Sequence, residues 1–480
     1  MKFERCVVAA AAVAVFAGCR TTKDVLDDYE RNVSVADYPA AAAEVSTLAE
    51  KGDDSRLLWH LMAGGAYYMG GDKSAAIAQF DAAESVFAQN DQTSVYAQGG
   101  EGALAMMTND RAFAYDGGGL DRSFTCLYKA IDYMTQGKTG PARTELNRAG
   151  QHQENWVWER RKDIEAAEKK LAADAAAYEG QQQAQPTGNR AEQANLILSN
   201  ADFAAQVKAQ SGYDPATSGR LDALAAADYA NLYALHVAGI FRWLNNDGGS
   251  VLKTAAAYQP ANTVLQQDAA AAASGTRPKD QIWIWVEDGL NPSREEWRID
   301  LPFLLVPGLN QYVLYAGMAL PRLRERTFGA SAWSVRAGGA TTPFTDLADV
   351  DRLTQTEFDV YMRGALAREV TRTLVKVGVQ VALGAAAENS GNRDHYMALK
   401  MAQLGVAAWA KTSTAADIRS WTALPKSVKV VRLTRPADGR VDIVADNNAY
   451  TLNVPAGNTL VFVRKPAPST GPTFKMVTYP

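Results

Sequence analysis

Glu287 and Asp288 are adjacent acids that close an apolar run, Gln281 to Val286, and open onto Gly289-Leu290-Asn291-Pro292. Paired carboxylates at a strand end could share general acid and base work, or ligate a cation through oxygen. A turn built from backbone breakers explains the same residues without chemistry. The second candidate runs from Met107 to Arg122. It has no helical period, holds three consecutive glycines, and gathers Asn109, Asp110, Tyr115, Asp121 and Arg122. Long irregular stretches inside compact folds commonly bind a partner or cross between elements. Asp110, Asp121 and Arg122 would then make a charged groove. Alternatively, Asn109 and Asp110 cap a helix while Tyr115 packs, and the segment is an internal brace.

Other chemistries lack their signatures. His60, His152, His236 and His395 have no Cys or His partner at ligand spacing, so no metal centre is expected. Ser331 is followed by Ala332 and then Trp333, where a nucleophile elbow has its second glycine. Gly137-Lys138-Thr139 invites a phosphate-loop reading, but position 132 is Asp132 where that motif requires glycine. The spot reads instead as a turn between helices. With 49 basic and 53 acidic residues the net charge is −4, which gives no electrostatic footprint for nucleic acid. No cofactor is expected.

The elements that must position these residues fall into two halves. At 480 residues, 47% apolar and 21% charged, the chain can fill two or three globular domains. From Tyr38 to Tyr258 it is rich in Ala, Leu, Gln and Glu, broken at glycine turns, which predicts helical hairpins. Gly64, Tyr67, Ala76, Phe80 and Ala83 fall at the spacing of the tetratricopeptide signature around the turn Gly70-Gly71-Asp72. A second set, Tyr133, Ala142 and Ala149, flanks Gln136-Gly137-Lys138, with Ala142 lying 66 residues after Ala76. A third hairpin pairs Leu232–Leu244 with Val251–Tyr258 across Asn245-Asn246-Asp247-Gly248. Asn155 to Tyr178 reads as one charged helix with a half-seam at Val157, Ile164, Leu171 and Tyr178, and residues 179–189 read as a polar linker.

Gln281 to Val286 is apolar on both faces, as in a strand buried between layers, and a second run reaches Leu301-Pro302-Phe303-Leu304-Leu305. Phe358 to Leu383 predicts an amphipathic helix carrying Arg363, Arg368 and Arg372. Val428–Leu433, Arg440–Val444, Thr459–Arg464 and Phe474–Val477 predict short strands. The fold class expected is α+β: a tetratricopeptide-like helical array, then a mixed domain with a mainly antiparallel sheet.

The first residues suggest where the chain resides. Lys2 and Arg5 precede an uncharged run, Cys6 to Phe16, of about eleven residues, too short to span a bilayer at about 20. Phe16-Ala17-Gly18-Cys19 resembles the lipobox of bacterial lipoproteins, apart from Phe16 where Leu is usual. The resemblance implies cleavage after Gly18 and acylation of Cys19, and Arg20 rather than Asp after that cysteine implies the outer membrane. The organisation expected is a signal peptide at 1–18, a helical domain at 19–265 and an α+β domain at 280–480. Cys126 would remain as the free thiol, read as a buried small hydrophobe.

The wider chain resembles a poorly characterised family of bacterial lipoproteins with N-terminal tetratricopeptide-like repeats. The matching stretches are Thr108-Asn109-Asp110 with Tyr115 and Gly117, Tyr128-Lys129-Ala130 with Tyr133, Ala142-Arg143-Thr144-Glu145-Leu146, Val286 to Pro292, Leu301-Pro302, and Ala416 to Trp421. That resemblance implies architecture and location but no activity. Association of the family with lipoproteins resembling activators of peptidoglycan synthases implies a role in the cell envelope. The expected function is a lipid-anchored, non-enzymatic scaffold facing the periplasm with an envelope protein as partner. Candidate interaction residues are Asn109, Asp110, Tyr115, Asp121, Arg122, Glu287 and Asp288. The alternatives are small-ligand binding and an envelope glycan enzyme using Glu287 and Asp288.

Overall fold

The computed structural model describes residues 20–92, 110–152, 155, 194, 196–220, 223–300 and 312–480. The expected signal peptide, Cys19, Asn109, nearly all of the charged helix from Asn155, the linker at 179–189 and Leu301–Leu305 lie outside them.

Local sequence accounts for the helical half. Helix α1 (Thr22–Ser34) starts at a capping box between Thr21 and Asp24, and α2 (Tyr38–Lys51) ends at Gly52 with φ +70°. Helices α3 (Arg56–Gly70) and α4 (Lys73–Gln92) form the first predicted hairpin, with Gly71 supplying the left-handed turn at φ +86°. Gly64 sits where a Cβ would meet the Phe80 ring at 2.5 Å, so its missing side chain permits the close approach. Ala76, Phe80 and Ala83 are all buried on the facing helix. The second hairpin joins α5 (Gly119–Thr135) to α6 (139–152) and buries Ala142 and Ala149. Helix α7 (Ala201–Ser211) follows. The third hairpin joins α8 (Leu232–Leu244) to α9 (Ser250–Tyr258), and α10 (Thr263–Ala273) completes the array.

The described strands form three sheets. Strands β1 (Gln281–Asp288), β7 (Ser427–Thr434), β10 (Asn458–Lys465), β11 (Thr473–Tyr479) and β6 (Thr345–Asp349) make the largest, in the order β11-β10-β1-β7-β6. Only β1 and β10 run parallel among the described pairs, so the expected mainly antiparallel α+β class holds. Strands β4 (Trp333–Ala337), β5 (Ala340–Pro343), β8 (Arg440–Ala445) and β9 (Asn448–Asn453) form a second sheet in the order β5-β4-β8-β9. Strands β2 (Ser293–Asp300) and β3 (Gly317–Arg324) pair as a hairpin against α11 (Val350–Glu388). Helix α12 (Arg393–Ser413) folds back along α11.

The alternation of β1 sets the layering. Trp283 and Trp285 join a core shared with α2, α3, α5 and α8, while Ile282, Ile284 and Val286 join Val335, Val441 and Ile443 of the second sheet. The five-stranded sheet is therefore covered on both faces. The expected units at 19–265 and 280–480 meet in one continuous apolar core rather than in a thin contact.

Two predicted elements change extent. Helix α11 runs beyond Phe358–Leu383 at both ends, because Asp349 accepts the Arg352 amide at 3.0 Å and caps an earlier start. Strand β1 extends through Asp288, so the paired acids belong to its last two rungs, opposite Arg464 and Lys465, and not to the turn. The chain first bends at Gly289, φ +68°.

Gly64→Ala is expected to destabilise the protein by about 1–3 kcal/mol, the usual range for overpacking. Thermal melts followed by circular dichroism read the loss. Adding Phe80→Leu should recover part of it, because both changes act on one contact.

Candidate functional site

The sequence-predicted acids lie in the interior. Glu287, at 1% exposure, ends the row Trp283, Trp285, Glu287 that β1 turns toward the helices. Three helices each aim a tyrosine at it. Tyr233 of α8 donates to Oε1 at 2.7 Å, Tyr128 of α5 donates to Oε2 at 2.9 Å, and Tyr68 of α3 reaches Oε1 at 3.5 Å. The Tyr68 and Tyr128 rings stack with centroids 4.0 Å apart. Arg464 of β10 lies 3.6 Å from Oε2 and spends its remaining donors on the carbonyls of Glu287, Gly289 and Ala423. Burial raises the Glu287 carboxyl above its ordinary pKa, against the opposing pull of Arg464 and the phenols. The same burial, reinforced by Glu287, pushes all three tyrosines well above theirs.

Asp288 points to the other face. Its Oδ1 accepts the backbone amides of Gly329 at 2.9 Å and Ala330 at 3.1 Å. The adjacent acids thus serve opposite layers and do not face one another across a substrate-sized gap.

The polar segment after residue 109 is a brace. Asp110 begins a single 3-10 turn, and its carboxylate is gripped by Arg368 at 2.8 Å and Arg372 at 2.7 Å, both from α11. The alternative in which Asp110 caps a helix does not hold for its side chain, because guanidinium groups take the acid in place of a helix amide. Burial alone would raise the Asp110 pKa, but the two arginines prevail and hold it well below the ordinary carboxylate range. Arg419 pairs with Asp417 at 2.8 Å and donates to the carbonyls of Asp110, Phe113 and Asp54. The Tyr115 hydroxyl donates to Asp121 at 2.7 Å, and the Gly118 amide donates to the same carboxylate at 3.0 Å. Arg122 reaches back to Asp91 at 2.7 Å. The expected groove residues Asp110 and Asp121 are therefore engaged with this chain's own groups.

Two further polar nodes were not predicted. His236 of α8 receives the Trp285 indole N–H at Nδ1, 3.1 Å, which leaves the ring proton on Nε2 to be donated to Asp268 at 2.9 Å. Asp268 also accepts from Trp283 at 3.1 Å and pairs with Arg432 at 2.7 Å. Elsewhere Glu84, Cys126 and Glu145 converge as a cation's donors would. The Lys129 ammonium already occupies that centre, 3.0 Å from Glu84, 2.9 Å from Glu145 and 2.7 Å from Asp81. Cys126 is buried as expected, and burial raises its thiol well above the ordinary value.

Sequence reasoning missed Tyr68, Tyr233, Arg464, His236 and Asp268 as partners. The period-two alternation of β1 was the one available signal, since it sets Glu287 on the same face as Trp283 and Trp285. A shallow recess beside Asp110, lined in part by Pro321, Tyr361, Glu369 and Asp417, is open to solvent and too tight to hold even a water molecule, whereas ligand pockets usually offer about 300–1,000 Å³. No family model, characterised protein or solved structure matches the chain.

Glu287→Ala leaves buried phenols and Arg464 without their acceptor and should cost about 3–5 kcal/mol, as for a broken buried pair. Glu287→Gln keeps one acceptor oxygen and should cost less. Urea titration separates the two.

The two buried acids titrate with opposite sign. The folded-state pKa of Asp110 is depressed, so its contribution is present above the unfolded value near 3.8 and is lost as the pH falls below it. That of Glu287 is raised, so its contribution declines as the pH rises from about 4.5 toward the folded value. Asp110→Asn should therefore flatten the fall in melting temperature below pH 4. Glu287→Gln should flatten the change above it.

Proposed function

We propose that this chain is a lipid-anchored, non-enzymatic scaffold of the bacterial envelope, held at the outer membrane through Cys19 and facing the periplasm. The observation that carries the reading is the internal use of its acids. Glu287, Asp288, Asp110 and Asp121 bind helices to sheet and brace the interior, so their chemistry goes into shape. A glycan enzyme built on Glu287 and Asp288 would need them exposed to substrate on a common face, whereas they serve opposite faces of β1.

Three features of sequence support the anchor: the charged start, the short apolar run and Phe16-Ala17-Gly18-Cys19. Two or more acyl chains make a stable attachment where one is marginal. Helical hairpins packed side by side offer extended surfaces suited to a protein partner. The resemblance to envelope lipoproteins makes a wall-associated protein the expected partner.

Metabolic labelling with palmitate tests the anchor: wild type should incorporate label, and Cys19→Ser should incorporate none. Crosslinking in intact cells with mass spectrometry tests the scaffold, with recovery of one envelope protein expected. An unlabelled wild type overturns the anchor. Turnover of peptidoglycan by the purified chain, abolished in folded Glu287→Gln, overturns the non-enzymatic reading.

A further inference from the structure

Among the described residues, nothing covers one face of α12 in the α11–α12 hairpin. Met397, Met401 and Leu404 are 55%, 64% and 53% exposed, and Trp409 continues the stripe. Between Met397 and Trp409 every exposed position is Met, Ala, Leu, Gly or Trp. The polar groups in that span turn inward or are paired. Gln403 is buried and donates to the Tyr312 carbonyl at 2.6 Å, and Lys400 pairs with Glu388 at 3.0 Å. The stripe is about 18 Å long at 1.5 Å per residue. Monomeric proteins rarely expose such contiguous apolar surface without a use for it.

We infer that this face of α12 lies on the lipid bilayer that carries the N-terminal anchor, seating the folded body side-on against the membrane. The inference rests on the anchor of the proposed function. Only Arg20 and Thr21 separate Cys19 from α1, a reach of about 10 Å, so the body is kept at the membrane surface.

A series of contacts, passing through buried Asp110 and Arg372, leads from that attachment point to the Trp409 end of the stripe. The Thr22 hydroxyl accepts from Arg111 at 3.1 Å, and the neighbouring Asp110 holds Arg372. One helical turn beyond Arg372, the Lys376 ammonium lies 5.3 Å from the Trp409 ring, at the end of the stripe. Charge supports a lipid surface over an apolar protein groove. Exposed Arg393 and Lys411 bracket the stripe, with Asp394 the one acid on α12. A helix with basic ends, an interfacial tryptophan and an apolar face suits the boundary between headgroups and acyl chains. Helix α11 has an apolar window long enough to cross a membrane, but 56% of it is buried inside the fold, so the hairpin rests on the bilayer and does not span it.

The full mature chain carrying Cys19→Ser, which cannot be acylated, tests this in flotation with vesicles of phosphatidylethanolamine and phosphatidylglycerol. It should float with the vesicles. Met401→Glu combined with Leu404→Glu should weaken binding at least ten-fold while leaving the melting temperature unchanged, since both side chains are exposed. Absence of flotation, or equal flotation of the double variant, overturns the inference. So does a dimer in sedimentation velocity that the double variant abolishes while vesicles bind neither chain. Palmitate labelling of wild type reads the anchor independently, so failure of the docking face and failure of the anchor are distinguishable.

Discussion

A carboxylate taken out of water is costly unless its oxygens are met by donors, and Glu287 is met from four elements at once. Tyr68, Tyr128 and Tyr233 come from three separate helices, and Arg464 comes from the strand beside β1. None of those helices can move away from the sheet without uncovering the charge or removing one of its donors. The aromatic bodies of the same tyrosines fill the apolar layer around it, with Phe80, Phe124 and Trp421 packed against Tyr128. Specificity and burial are thus combined in a few large residues.

The other polar nodes repeat this arrangement at different places along the contact between helices and sheet. His236 and Asp268 tie α8 and α10 to the indoles of β1 and to Arg432 of β7. Lys475 of β11 pairs with Asp132 of α5 while its ammonium sits 3.6 Å from the Tyr68 ring. Asp110 joins the end of the irregular segment to α11, and Arg419 stitches Asp54 and Phe113 to the last third of the chain. The residues with the most reactive chemistry are therefore the ones most committed to cohesion. The exposed apolar face of α12 carries none of these groups.

Much of the architecture was legible because it rests on local rules. The hairpin turn at Gly70-Gly71-Asp72 and the glycine opposite Phe80 follow from sterics that act over a few residues. The two-faced apolar pattern of Gln281–Val286 announced a strand covered on both sides. What escaped depends on distant pairing. Glu287 reads as part of a turn because Gly289 and Pro292 follow closely, yet its rung opposite Arg464 is set by a strand almost two hundred residues away. Nothing near Tyr68 or Tyr233 signals a shared acceptor. Helix α12 was missed for a different reason: its apolar stripe faces outward, against the usual equation of apolar periodicity with core. Strand β2 was hidden by Arg294, Glu295, Glu296 and Arg298, whose charges mask its period.

Native-state hydrogen exchange on wild type and Glu287→Gln tests the hub most directly, because amides report each element separately. If Glu287 clamps helices to sheet, the substitution should lower the opening free energy of α3, α5, α8 and β1 by one common amount. Lowered protection confined to β1 and its sheet neighbours, with the three helices unchanged, would contradict it.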